Sequence, residues 1–267
     1  MEAMKDFKVA QIVPVSCLDM IEQNHYHMCL AHLVLQDEKY AAFYRRMSDE
    51  GKFVLMDNGA AEDSQLSFND LLHAYDIIHP TEIVVPDTLC DMDSTLAKLD
   101  MFIEKYNSLP YRFMAVPQGK TFDQWCVCAA EILRRNQKWH RISSIGVSKF
   151  LNIVTNDCMV RMGAANYVYE VCDVMFGSNT EIHLLGCHEG PGIVKEIQLE
   201  VPTVRGCDSA FAYIATQAGD VIGVNSVRPV GEINFLKGDR YEYLRENMAA
   251  FERAAGVEDN HSPDLWR

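Results

Sequence analysis

The chain has 267 residues, 48% of them hydrophobic, with 24 Lys plus Arg against 38 Asp plus Glu, a net charge of −14. This length fits one large domain with a full core, and the acidity disfavours indiscriminate attraction to nucleic acid or anionic membrane. No apolar run nears the roughly 18 residues of a membrane span, and the opening MEAMKDFKVAQ lacks an apolar signal core, so the expectation is a soluble cytoplasmic protein without a membrane partner.

In chain order, strand-like apolar runs fall at 10–16, 28–35, 52–57, 82–87, 111–118, 143–148, 181–186 and 203–208. Helical patterns separate most of them. Phe68, Leu71, Leu72, Tyr75 and Ile78 repeat on one face, as do Phe122, Trp125, Cys126, Ala129, Ile132 and Leu133. The first connection, SCLDMIEQNHY, is short for a crossover helix, and the stretch 151–179 has room for more than one element. A helix is expected over 240–254, followed by a soft tail, EDNHSPDLWR, within a C-terminal region 230–267 that belongs to the same domain. Eight alternations of strand and helix predict a single (β/α)8 TIM barrel over 1–267, with an open doubly wound sheet as the alternative.

Six of these runs stop at a polar residue or a glycine: FVLM at Asp57, IVVP at Asp87, FMAVP at Gln118, SI at Gly146, IHLL at Gly186 and VRGC at Asp208. In a parallel barrel such strand ends share one mouth, so these residues would converge on one pocket. Asp57 and Asp208 form a carboxylate pair suited to cleaving a glycosidic bond, one attacking the anomeric carbon and the other moving protons. The rival for each Asp, Asp87 included, is a helix N-cap. Gln118 is not a favoured cap, and an amide beside a carboxylate reads both the donor and the acceptor edge of guanine. The turn GCHEGPG at Gly186 offers backbone N–H groups to a phosphate or a base carbonyl, or is a plain loop.

The remaining polar clusters are less directed. Cys29, Cys126, Cys158 and Cys172 lie in apolar segments without a disulfide framework, and Cys126 and Cys128 lack the second pair that a structural zinc site needs. His25-x-His27, with His183 and Asp208, suggests a metal-dependent barrel hydrolase, but the two histidines precede their strand and would face the wrong end of the barrel. Between residues 132 and 156 five cations, Arg134, Arg135, Lys138, Arg141 and Lys149, occur without an acid. They are either the cationic end of a helix with its loop or a surface that tracks phosphates.

The ordered set DNG, VPD, VPQG, IGVS, HLLG and CDSAF, spanning residues 57–216, resembles the tRNA-guanine transglycosylase superfamily, most closely its small phage and bacterial branch acting on DNA. The resemblance implies a (β/α)8 barrel that exchanges guanine for a 7-deazaguanine base such as preQ0, without a cofactor, in a bacterial or phage-infected cell. It makes Asp208 the nucleophile and Asp57 the general acid and base. Asp87, Gln118 and Gly146 would read the guanine edge, the last through backbone of an IGVS turn, with Gly186 beside the same pocket. The zinc element of the tRNA enzymes, C-x-C-x2-C with a later His, has no counterpart, since the last cysteine is Cys207. Asn58 and Ala60 also replace the serine and second glycine usual after the catalytic Asp. DNA is therefore the expected partner, with the five cations as backbone contacts. A homodimer, the same reaction on tRNA, a metal-dependent hydrolase and a non-catalytic nucleic-acid binder remain alternatives.

Overall fold

Eight strands alternate with helices along the chain, and every strand pair in the sheet is parallel. The computed structural model describes residues 7–60, 66–157, 159–171, 174, 180–187 and 189–257. The soft tail and two of the apolar cysteines, Cys158 and Cys172, lie outside them. The strands are β1 (Lys8–Gln11), β2 (Tyr26–Leu30), β3 (Phe53–Asp57), β4 (Glu82–Val84), β5 (Arg112–Ala115), β6 (Ile142–Ser148), β7 (Glu181–Leu185) and β8 (Val204–Ser209). Their hydrogen-bonded order is β1-β8-β7-β6-β5-β4-β3-β2, and β1 and β2 lie side by side where the ring closes. The result is a nearly closed (β/α)8 barrel.

The helices follow from local signals. α3 (Phe68–Ile78) starts at a capping box between Ser67 and Asp70, α4 (Met92–Tyr106) at the Asp91 side chain and α5 (Phe122–Trp139) at Thr121. α8 (Pro191–Glu200) begins with Pro191, whose missing N–H costs nothing in a first turn. Each lays an apolar stripe on the barrel; for α5 this is Trp125, Cys128, Ala129, Ile132 and Leu133. The long 151–179 stretch does hold two elements, α6 (Phe150–Thr155) and α7 (Val160–Val171), and the short first connection is a 3-10 turn at Val15–Met20. α9 (Phe211–Ala218) follows β8. The closing helix α10 (Leu244–Ala255) packs on α8 and α9.

Two expectations are corrected and one rival reading falls. The run 28–35 is not one strand: β2 ends at Leu30 and the chain turns at once into α1 (Ala31–Gln36), followed by α2 (Glu38–Asp49). MCLAHLVL is apolar in every register, so periodicity could not separate a buried strand from a buried helix. IGVS is not a turn, because β6 runs through it to Ser148. The three aspartates are not helix caps either: α4 is capped by Asp91 rather than Asp87, α3 by Ser67, and α9 follows Ala210 without a side-chain cap.

The lower half of the barrel interior is charged. Glu82 and Arg205 are fully buried and paired, and Arg205 Nη1 also meets Glu181 Oε2 at 2.9 Å. Between β7 and β8 the register slips from Ile182↔Val204 to His183↔Gly206, which makes Arg205 the extra residue of a bulge. Gly206 then leaves space that a side chain would close, since a Cβ there would lie 2.5 Å from the Lys8 carbonyl oxygen. Burial opposes charge on Glu82, yet the Arg205 guanidinium, aided by Arg112 and Ser143, outweighs it and holds the carboxyl below its usual range.

Candidate active site at the mouth of the barrel

The C-terminal strand ends open into one cavity of about 820 Å³. Every strand supplies a wall residue on itself or just beyond its end: Ile12, Leu30, Asp57, Val84, Val116, Ser148, Leu185 and Asp208. The segment 219–243 between α9 and α10 lies over one side, contributing Arg228, Gly231, Glu232, Ile233 and Phe235. It is tied down where Val15 N–H donates to the Phe235 carbonyl at 2.8 Å and the Tyr213 hydroxyl to the Asp239 carbonyl at 3.1 Å.

Asp208, one residue before the end of β8, lies on the cavity wall, and its carboxylate is oriented rather than loose. Oδ1 accepts from the Gly186 N–H at 2.9 Å and bonds His183 Nε2 at 3.2 Å, while Oδ2 meets no donor among the described residues. The tautomer of His183 follows from its neighbours. Desolvation holds its pKa below the usual value despite the attraction of Asp208, so the ring is neutral and carries one N–H. A carboxylate only accepts, so that hydrogen is on Nε2, and Nδ1 accepts from the Tyr26 hydroxyl at 2.8 Å. Burial raises the Tyr26 pKa and keeps the hydroxyl protonated, with Arg205 bonded to the same oxygen. A fixed column of Arg205, Tyr26, His183 and Asp208 thus leads from the charged interior to the mouth.

On the facing wall, Asp57 ends β3 and Oδ2 accepts from the Gly59 N–H at 3.0 Å. Gly59 has a φ of +75°, which glycine adopts without strain. Asn58, the departure from the resemblance's usual serine, sends Nδ2 to Asp87 Oδ1 at 2.8 Å and to the Val85 carbonyl at 2.9 Å. Gln118 Nε2 donates to Asp87 Oδ2 at 2.6 Å, and Gln118 Oε1 accepts from the Cys90 N–H at 3.1 Å. Both oxygens of Asp87 are therefore fixed by amides, each with a further lone pair for a ligand. Desolvation, only partly offset by Asn58 and Gln118, pushes the Asp87 carboxyl above its usual range.

Asp57, Asp87, Gln118, Gly186 and Asp208 all line the cavity, whereas Gly146 does not. A Cβ on Gly146 would sit 2.6 Å from Leu185 Cδ1 and 3.0 Å from Met114 Sδ, so its missing side chain serves packing beneath the floor. The wall residues from this part of the chain are Ser148, Lys149, Phe150 and Ile153. Gly186, at φ +66°, supplies the N–H that holds Asp208.

The basic segment divides. Helices of this fold run from the mouth down, so Arg134, Arg135 and Lys138, in the last turns of α5, lie at the far end from the cavity. Arg134 pairs with Glu131 at 2.8 Å and Arg135 with Asp100 at 3.1 Å, while Arg141 Nη2 binds the Leu109 carbonyl at 2.7 Å. Only Lys149 of the five lines the cavity. His27 lies on β2 with Nε2 bonded to the Asn24 carbonyl and its ring against Phe43 and Tyr44 of α2, away from Asp208.

Several contributors escaped the sequence reading. Tyr26 sits in an apolar strand and carries no motif, and His183 was legible only as a metal ligand. Arg228 lies in a long irregular segment whose path over the mouth has no local signal. Asn58 was legible as a departure from the resemblance but not as a partner of Asp87.

No family model matches the chain, and no curated protein matches it. Among solved structures it is similar to the YdjI aldolase from Escherichia coli K12, at 12% identity over 98% of this chain and 93% of that one, with a TM-score of 0.55. It is also similar to a ligand-free tryptophan synthase from M. tuberculosis, at 10% identity over 95% and 93% of the two chains, with a TM-score of 0.48. At such identity the likeness to the aldolase establishes the barrel and assigns no residue a role. The class defined by fold and site is therefore a (β/α)8 barrel with an acidic mouth cavity.

Proposed function

We propose that this chain is a DNA-guanine transglycosylase, replacing guanine in DNA by a 7-deazaguanine base such as preQ0. The observation that carries the reading is the arrangement of Asp208, held at Oδ1 with Oδ2 open, in one cavity with Asp57 and the Asn58–Asp87–Gln118 cluster. A nucleophile needs one exposed oxygen on a fixed carboxylate, and a purine reader needs a fixed carboxylate and amide side by side.

In the first half-reaction Asp208 Oδ2 bonds to C1′ of the target nucleotide as the C1′–N9 bond breaks. The bonding pair leaves with guanine, and Asp57 donates the proton that neutralises it. A glycosyl ester remains on Asp208, and Asp57 is now a carboxylate. It takes the N–H proton of the incoming deazapurine, whose nitrogen attacks C1′ and expels Asp208, so that two inversions give retention. The lone pairs left on Asp87 accept from the N1–H and N2–H2 edge of guanine, and Gln118 is aligned alongside. His183 and the Gly186 N–H stabilise the departing Asp208 carboxylate, and the Tyr26 hydroxyl, bonded to Nδ1, holds the His183 ring in place. The target nucleotide must be single-stranded or flipped out, because C1′ is otherwise shielded by the stack.

The test is to express the protein with a supply of 7-deazaguanine precursor, digest DNA and tRNA separately, and weigh the nucleosides. A deazaguanine mass in DNA alone supports the reading, and the same mass in tRNA alone moves the activity to RNA. Its absence from both pools, with the precursor shown to enter the cell, counts against base exchange.

A further inference from the structure

The arginines of this chain mostly meet carboxylates: Arg112 and Arg205 meet Glu181, Arg161 meets Glu189 and Arg240 meets Asp19. With 38 acids available, Arg228 meets none among the described residues. Its Nη2 donates to the Gly231 carbonyl at 3.1 Å, and the half-buried side chain lines the mouth cavity. Desolvation lowers its pKa from the usual arginine value, with no neighbouring anion to oppose the shift. Lys149 is the second cation on the cavity wall, likewise without a carboxylate partner among the described residues. A cation drawn from water and left unpaired is unfavourable until an anion joins it.

The backbone places both cations on one side of the mouth. The Lys149 stem lies against the end of β7, where a Cβ on Gly186 would come within 2.7 Å of Lys149 Cδ. The covering segment meets the start of α8, where added Cβ atoms on Gly190 and Gly192 would lie 2.4 Å and 2.8 Å from the Ser226 and Val224 carbonyl oxygens. Arg228 is two residues beyond Ser226. Gly186 also donates its N–H to Asp208, so the two cations flank the β7–β8 edge that carries the proposed nucleophile. Of the other cavity carboxylates, Asp57 and Asp87 belong to the β3 and β4 side, and Glu232 lies on the covering segment without an ion pair to Arg228.

We propose that Arg228 and Lys149 form a phosphate-binding subsite on the β7–β8 edge of the mouth, which takes the phosphodiester next to the nucleotide at Asp208. The subsite stands on the two cations; the identity of its ligand rests on the base-exchange reading. A guanidinium binds two phosphate oxygens at once and an ammonium adds a point charge, so the pair would fix the sugar while leaving the base to Asp87 and Gln118. A phosphorylated small sugar offers the same chemistry from a different source.

The test uses the full chain and a fluorescent single-stranded oligodeoxynucleotide with one central dG, titrated by anisotropy from low to high KCl. Ribose 5-phosphate and ribose are titrated separately by calorimetry. Arg228→Gln should weaken the oligonucleotide by roughly tenfold at low salt and make the log–log salt dependence shallower by about 0.7, one single-strand phosphate. Lys149→Met should act in the same direction, Arg228→Lys should restore the slope, and Lys105→Gln, on the far end of α4, should resemble the parent. If ribose 5-phosphate binds, ribose and the oligonucleotide do not, and Arg228→Gln abolishes that binding, the subsite holds and the nucleic-acid reading falls. If neither phosphate probe responds to Arg228→Gln in a variant that melts like the parent, the subsite is overturned.

Discussion

Removing a single hydroxyl, Tyr26→Phe, interrupts the column beneath Asp208 while leaving the ring in place. The ring stacks on Phe53 with centroids 5.0 Å apart, and the phenylalanine retains that packing. What disappears is the 2.8 Å bond to His183 Nδ1 and the oxygen that Arg205 bonds. A buried polar atom left without its partner costs about 1–3 kcal/mol. In a chain of this size each kcal/mol moves the melting temperature by about 2–4 °C, so a fall of roughly 2–12 °C is expected. The catalytic effect is separable. Without the hydroxyl, His183 keeps its hydrogen on Nε2, because Asp208 only accepts, but Nδ1 loses its donor and the ring loses the bond that holds it in place, weakening the support that the leaving carboxylate needs. If the same 1–3 kcal/mol falls on the transition state, exchange of labelled guanine into single-stranded DNA slows roughly 5- to 150-fold, in kcat more than in KM. The ¹⁵N shifts of His183 should report hydrogen on Nε2 in both proteins, with the bare Nδ1 resonance moved in the variant as it loses its donated hydrogen bond, a readout that does not depend on activity. An unchanged Nδ1 resonance together with unchanged exchange would refute the role given to Tyr26.

The other expectations concern charge and base selection. Glu82→Gln leaves Arg205 with Glu181 alone in a buried setting, and a loss on the order of 3–5 kcal/mol is expected from denaturant unfolding. Because the Glu82 carboxyl is held below its usual range, its stabilisation is present above about pH 4.3 and is lost as pH falls through the depressed value, so the variant should lack that part of the acid slope. For Asp87 the direction is opposite: its carboxyl is raised, so guanine binding through the ionised form should weaken at a pH above the usual 3.9 or so as acid is added, seen as a rise in KM. Gln118→Ala should raise KM for guanine by about tenfold and relax discrimination against adenine, with kcat affected less.

The barrel was legible because six strand runs stop at a polar residue or a glycine and several of the following helices carry their own start signal, as at Ser67, Asp91 and Thr121. The same regularity places Asp57, Asp87, Gln118 and Asp208 on one mouth from sequence alone. It failed where local pattern was degenerate. MCLAHLVL reads equally as strand or helix, and only the packing of Leu33 and Val34 in α1 distinguishes them. The five cations at 134–149 look contiguous in sequence, but a helix running from mouth to base separates four of them from the cavity by its whole length. Tyr26 and Arg228 reach the site through a barrel interior and a long return of chain, neither of which leaves a periodic trace.

The most direct measurement is to mix the protein with a dG-containing single-stranded oligonucleotide, denature without adding an incoming base, digest, and weigh the peptides. The account predicts an abasic nucleotide adduct on the peptide that contains Asp208, absent from Asp208→Ala, which should also lose guanine exchange. An adduct on a different residue, or full exchange by Asp208→Ala, would contradict it.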